Sequence, residues 1–248
     1  MTTTRDEPVY IRVEDEHILG TLITPGTLLP GVLFVHGWGS NQGNNLQLAR
    51  SISRLGCICF TFDLRGHAAT SQLHGRVTPE ENMADVLAAY DLLAAHEWVD
   101  KDAIAVIGSS YGGYLAAILT SLRAVDWLVL RVPALYRDSD WKKAKAKIDR
   151  QALNAYRDLY LEPDDNRALR ACAKFRGDAL IVESELDTVV AHPAVASFAA
   201  AFRNAHSLSH RVLDGADHGL TDAHCREAYH RIVSRWMSEM ISAAREHQ

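Results

Sequence analysis

Four short stretches of this chain set chemically capable side chains where turns would present them. The first is Gly108-Ser109-Ser110-Tyr111-Gly112-Gly113, which follows the apolar run Ile104–Ile107. Glycine two residues before and two after a serine is what a sharp strand-to-helix turn demands, because side chains there would collide as the two elements close together. The register selects Ser110, since flanks centred on Ser109 would be Ile107 and Tyr111. A serine hydroxyl is a weak nucleophile until a neutral imidazole can take its proton. A carboxylate must in turn fix that imidazole's tautomer and stabilise its cation. Both groups follow later: Ala179–Glu183 runs into Ser184-Glu185-Leu186-Asp187, and Ser209–Leu213 runs into Asp214-Gly215-Ala216-Asp217-His218-Gly219. His218 is therefore the expected base and Asp187, in the loop just beyond its strand, the expected acid. Glu183 falls inside the strand and Glu185 is the runner-up. Asp214 and Asp217 stand too near His218 in sequence to orient it easily from the far side.

The fourth stretch is Val32–Val35 followed by His36-Gly37-Trp38-Gly39. Acyl transfer needs backbone N–H donors aimed where negative charge develops on the substrate carbonyl oxygen. The N–H groups of Trp38 and Tyr111 are the expected pair.

The elements that must hold these turns are legible as alternating textures. Val9–Val13 and Ile18–Ile23 read as a strand pair, with a charged turn between them and a stop at Pro25-Gly26. Further strands are expected at Gly31–Val35, Cys57–Phe62, Ile104–Gly108, Trp127–Arg131, Ala179–Glu183 and Ser209–Leu213. Helices are expected near Asn45–Arg54, Pro79–Glu97, Tyr111–Leu122, His192–Asn204 and Thr221–Glu246. Continuous apolar strands, each followed by an amphipathic helix, are what a parallel sheet covered on both faces requires, so an α/β doubly wound fold is predicted. In such a sheet the strand ends share one edge, where residues distant in sequence converge. Residues 132–175 break the rhythm and read as a small helical insertion, a lid over one end of the sheet. It carries the basic run Trp141-Lys-Lys-Ala-Lys-Ala-Lys147, which also fits a plain solvated face. Tyr136, Trp141, Tyr156 and Tyr160 would line an apolar or aromatic pocket or form the insertion's own core. Arg131, ending a strand at the same edge, would hold a substrate carboxylate or an ion pair.

Composition removes other classes. The 248 residues are 48% hydrophobic and 23% charged, with net charge −5, an ordinary globular composition with no attraction to nucleic acid or acidic membrane. No apolar run approaches the ~18 residues of a membrane span, and no signal peptide is read at Met1–Pro8, so a cytoplasmic location is expected. Cys57 and Cys59 alternate on an apolar strand and are expected to pack as small hydrophobes. The twelve histidines show no metal-ligand spacing, so no metal and no cofactor is expected. Asp63, Arg65 and His67 are read as holding a turn. Residues 1–248 are taken as one domain, with a homodimer left open.

Taken together, His36-Gly37-Trp38-Gly39, Phe62-Asp63-Leu64-Arg65-Gly66-His67, Gly108-Ser-Ser110-Tyr-Gly112-Gly113, Leu186-Asp187-Thr188-Val189-Val190 and Gly215-Ala-Asp-His218-Gly219 resemble a serine hydrolase of the α/β-hydrolase superfamily from about Val9 to the C-terminal helix. The resemblance implies a mostly parallel sheet of about eight strands with the insertion after the sixth. In texture the chain is similar to small feruloyl/cinnamoyl-type esterases and to acyl-peptidase and dienelactone-hydrolase-like groups. A dienelactone hydrolase proper would carry cysteine where Ser110 stands. Other departures are Ala68-Ala69-Thr70-Ser71 in place of Gly-x-Ser, Ser184 where glycine is frequent, and Ala191 where proline is common. A small-molecule carboxylic ester is the expected substrate. Amide, peptide or thioester cleavage and a non-catalytic binding protein on the same scaffold are the alternatives.

Overall fold

A computed structural model describes residues 5–24 and 29–246; the turn expected at Pro25-Gly26 lies outside them. Among the described residues there are eight strands: β1 (Arg5–Val13), β2 (Glu16–Thr24), β3 (Leu29–Val35), β4 (Ile58–Phe62), β5 (Val99–Ser109), β6 (Trp127–Arg131), β7 (Asp178–Ser184) and β8 (Ser207–Leu213). Seven α-helices accompany them: α1 (Leu46–Ser53), α2 (Pro79–Ala94), α3 (Tyr111–Leu119), α4 (Arg150–Arg157), α5 (Arg167–Lys174), α6 (His192–Ala201) and α7 (Ala223–Glu246). The strands form one sheet in the order β1-β2-β4-β3-β5-β6-β7-β8. β2 runs antiparallel to both its neighbours, and every pairing from β4 onward is parallel.

The period of two along each strand sorts side chains to opposite faces. On one face Leu33, Val35, Phe60, Phe62, Ile104, Val106, Leu128 and Leu130 pack under α2, α3, α5 and α6. On the other, Val32, Phe34, Cys59, Ala105, Ile107 and Val129 pack under α1 and α7. Cys57 and Cys59 are fully buried in this second cluster, as small hydrophobes.

Helix boundaries follow local chemistry. Thr78 accepts from the Glu81 N–H (3.2 Å) while the Glu81 carboxylate accepts from the Thr78 N–H (2.7 Å), a reciprocal cap ahead of Pro79 that fixes the start of α2. β5 begins earlier than its apolar core suggests. Val99 and Asp100 pair with Leu29 and Pro30 across a register shift at Pro30/Gly31, a bulge that a polar Asp-Lys-Asp stretch does not announce. The insertion between β6 and β7 contains α4, α5 and three 3₁₀ turns.

The strand order places β3 between β4 and β5. The chain therefore leaves β3 toward one side and returns on the other, which opens a crevice at the carboxyl end of β3. Val35 pairs with Gly108, and Ser109 with Arg131. This register alone sets the turn after β3 beside the turn after β5, with the end of β6 next to it.

Candidate active site

Ser110 sits between β5 and α3 with φ 54° and ψ −116°, a backbone conformation that costs about 1–3 kcal/mol and persists only where surroundings over-determine it. The surroundings are tight. A Cβ at Gly108 would stand 2.5 Å from the Gly112 carbonyl oxygen and 2.8 Å from the Ala116 Cβ, and one at Gly112 would overlap the carbonyl oxygens of Val35 and His36. Backbone bonds close the turn: the Ser110 N–H donates to the Arg131 carbonyl (2.8 Å), and the Ser110 carbonyl accepts from Tyr114 (3.1 Å) and Ala134 (3.0 Å).

Two loops complete a chain of hydrogen bonds. His218 Nε2 lies 3.1 Å from Ser110 Oγ, and His218 Nδ1 lies 2.6 Å from Asp187 Oδ2. The other carboxylate oxygen, Oδ1, accepts from the N–H groups of Val189 and Val190, both at 2.8 Å. Burial alone would raise the Asp187 pKa. The His218 ring and the two N–H groups outweigh it and hold the carboxyl below the usual carboxylate range. Asp187 thus stays ionised beside a ring that needs an anion.

The rival acids have other work. Glu183 bridges His192 Nδ1 (2.5 Å) and His210 Nε2 (3.0 Å), Glu185 accepts from the Gly215 N–H (2.6 Å), and Asp217 accepts from Thr221 (2.9 Å from its N–H). Asp187 is the carboxylate that meets His218.

The turn after β3 lies against the serine: a Cβ at Gly37 would stand 3.3 Å from the Ser110 Cβ. Two buried histidines shape this turn. His36 Nε2 accepts from the Leu64 N–H (3.0 Å), and His67 Nε2 accepts from the Gly39 N–H (3.1 Å). Burial pushes both rings down to about 4, His67 being lowered further by neighbouring His36. Both are neutral and fixed as acceptors. Asp63 accepts from the Gln42 N–H (2.8 Å), and Arg65 pairs with buried Asp85 (2.5 Å). Asp63, Arg65 and His67 therefore brace the loops as the sequence suggested. Tyr111 opens α3, so its N–H belongs to the first turn, where helices have no internal acceptor. Ala68, in the place where the resemblance leads one to expect glycine, has φ 46°.

Two cavities meet at Ser110, of about 480 and 460 Å³, and both are lined by Trp38, Ser110 and His218. Arg131 lines the first, and both its terminal nitrogens donate to the His218 carbonyl oxygen, one at 2.9 Å. It grips the histidine loop and makes no ion pair among the described residues. Tyr136 lines the second cavity. For the other three aromatics the pocket reading is corrected. Trp141 lies under the Arg167 guanidinium (3.9 Å from its ring centre), the Tyr156 hydroxyl is tied to Asn166 (3.1 Å), and Tyr160 is 71% exposed. None of the three lines either cavity at Ser110: Trp141 and Tyr156 pack within the insertion instead. Lys145 and Arg157, which line the second cavity, were not singled out by spacing. Lys145 lay inside a basic run that reads equally as surface.

Known proteins resemble this chain in sequence and in fold. The model of the prolyl oligopeptidase family matches residues 43–244. The chain belongs to that family. An uncharacterised protein of Mycobacterium tuberculosis strain H37Rv is 33% identical over 128 residues, which is 50% of this chain and 44% of the relative, so the match spans under half of that protein's length. The esterase Est1E of Butyrivibrio proteoclasticus, solved with ferulic acid bound, superposes with TM-score 0.71 at 18% identity over 94% of this chain and 99% of its own. A dienelactone hydrolase of Anabaena variabilis gives 0.69 at 18% identity over 95% and 98%. These likenesses show the α/β-hydrolase fold.

Proposed function

We propose that the protein is a serine hydrolase that cleaves a small to medium carboxylic ester through an acyl-enzyme on Ser110. The observation that supports this is the unbroken hydrogen-bond chain Ser110–His218–Asp187, assembled from three separate strand ends. In this reading Ser110 Oγ attacks the carbonyl while His218 takes its proton. The N–H groups of Trp38 and Tyr111 receive the oxyanion, and the protonated ring then gives its proton to the leaving alcohol. Water repeats the sequence on the acyl-enzyme and releases the acid. Residues 132–175 act as a small cap of this one catalytic domain. A cytoplasmic location is part of this reading; all four cysteines are buried, and no helix among the described residues is long and apolar enough to cross a membrane.

Turnover of p-nitrophenyl esters of increasing acyl length, together with methyl ferulate, tests the proposal. Hydrolysis that falls by at least about a thousandfold in Ser110→Ala is expected; equal rates in the two proteins would overturn it. The family assignment favours amide or peptide cleavage as the second reading. A chromogenic oligopeptide cleaved faster than every ester would select that reading.

A further inference from the structure

Building on the serine-hydrolase reading, we propose that the substrate carries an anionic group, a carboxylate or a phosphate, which Lys145 binds beside Ser110 with Arg157 as a second cation. Lys145 opens the 3₁₀ turn Lys145–Lys147, and its N–H is tied to the Val77 carbonyl (2.8 Å). Its side chain turns inward. Nζ stands 4.6 Å from the ring centre of Trp38, 4.7 Å from that of Tyr136 and 5.3 Å from that of Tyr111. Two neighbours in the same run have acidic partners: Lys142 faces Glu80 (3.8 Å) and Lys143 faces Asp140 (2.7 Å). Lys145 has no carboxylate within ion-pair distance among the described residues.

Ring faces stabilise an ammonium by about 0.5–2 kcal/mol, but a desolvated cation is ordinarily paired with an anion as well. Burial depresses the Lys145 pKa below its usual value, opposed by Tyr136, and an arriving anion would reverse that direction. Arg157 repeats the pattern. It is 6% exposed, donates to the carbonyls of Leu135 (3.0 Å) and Val189 (3.3 Å), and lies 4.8 Å from the Tyr136 ring centre. Its partners are dipoles, with no carboxylate among them. Both cations line the 460 Å³ cavity that also holds Ser110 and His218, and no Asp or Glu lines that cavity. Asp187, committed to His218, and Asp158 line an adjoining recess together with Arg157. In a chain with net charge −5, a wall of this cavity with cations alone is a local feature. Its missing counterion is what the substrate would supply.

The test compares charged esters with neutral isosteres. Mono-p-nitrophenyl glutarate against p-nitrophenyl valerate places the charge on the acyl side. 4-Butyryloxybenzoate and 4-butyryloxyphenyl phosphate, each against phenyl butyrate, place it on the leaving group and separate carboxylate from phosphate. At least one charged ester should exceed its isostere about tenfold in kcat/KM, equivalent to ~1.4 kcal/mol. The preference should shrink with added salt and vanish in Lys145→Met and Lys145→Gln. It should persist in Lys147→Met, which removes an exposed charge two residues away. Ratios near one, or a preference that survives both Lys145 substitutions, would overturn the inference. If no ester is turned over, the rate at which a fluorophosphonate labels Ser110 is measured with glutarate or glutaramide present. Protection by glutarate alone supports the inference, and equal protection or none refutes it. No labelling at all refutes the hydrolase reading itself, so the two failures are distinct.

Discussion

Replacing Asp187 by asparagine tests the geometry of the site with almost no change of shape. The carboxylate's two oxygens have different neighbours: Oδ1 accepts two backbone N–H groups and Oδ2 faces His218 Nδ1 at 2.6 Å. An amide has one acceptor and one donor end. The Val189 and Val190 N–H groups fix its oxygen at the Oδ1 position, so the NH₂ must point at His218. The ring then accepts at Nδ1 and carries its proton on Nε2, 3.1 Å from Ser110 Oγ. A protonated Nε2 cannot take the serine's proton. The expected loss is that of a wrong tautomer plus an absent anion, about a thousand- to ten-thousandfold in kcat, or ~4–5.5 kcal/mol of transition-state stabilisation. All the hydrogen-bond partners survive, so stability in urea should change by no more than about 1.5 kcal/mol. The assay is steady-state ester hydrolysis beside urea unfolding on the same preparation. A folded Asp187→Asn protein that keeps more than a tenth of the wild-type kcat would refute the reasoning.

Other expected outcomes follow from the same contacts. His36 and His67 titrate at about 4 in the fold against ~6.5 in the unfolded chain, so the unfolded state binds two more protons between those values and stability is lost as pH falls through that window. Asp85, raised to about 6 mainly by burial, takes up one proton in the folded state over nearly the same range and offsets half of this. Urea unfolding between pH 6 and 4 should therefore lose about 1.4 kcal/mol per pH unit, and a flat profile would contradict the assignment. Gly112→Ala forces a methyl into the Val35 and His36 carbonyls; several kcal/mol of stability and most activity should be lost, and circular dichroism melting would expose a tolerated variant. Arg131→Met frees the His218 carbonyl from both guanidinium bonds. We expect kcat to fall about ten- to a hundredfold with KM little changed, and a change confined to KM would mean that Arg131 contacts substrate instead.

The sheet was legible because its chemistry is repetitive. Leu33 and Val35 pack to one face and Val32 and Phe34 to the other, so a fully apolar strand announces two covered faces. The Ser110 turn was legible because Gly108 and Gly112 are demanded by contact with specific backbone atoms. Asp187 followed from position, one loop beyond a strand end. The insertion resisted. Tyr136, Trp141, Tyr156 and Tyr160 are alike as sequence, but Tyr136 is 3% exposed at the cavity and Tyr160 is 71% exposed. Tyr156 lies on the short helix α4 while Tyr136, Trp141 and Tyr160 lie in the connecting loops, and none of these segments has a long period to tell inside from outside. Arg131 was legible as a residue at the right edge, yet its partner is a backbone carbonyl 87 positions away, and carbonyls carry no sequence signal. Lys145 was hidden for a related reason: only the fold reveals which lysine of a basic run turns toward three rings.

The most direct measurement is covalent. Incubation of the folded protein with a fluorophosphonate, followed by proteolysis and mass spectrometry, locates whichever hydroxyl is activated. The account predicts one adduct per chain, on Ser110 and not on adjacent Ser109, abolished by His218→Ala. An adduct on any other residue, or undiminished labelling of Ser110 without His218, would contradict it.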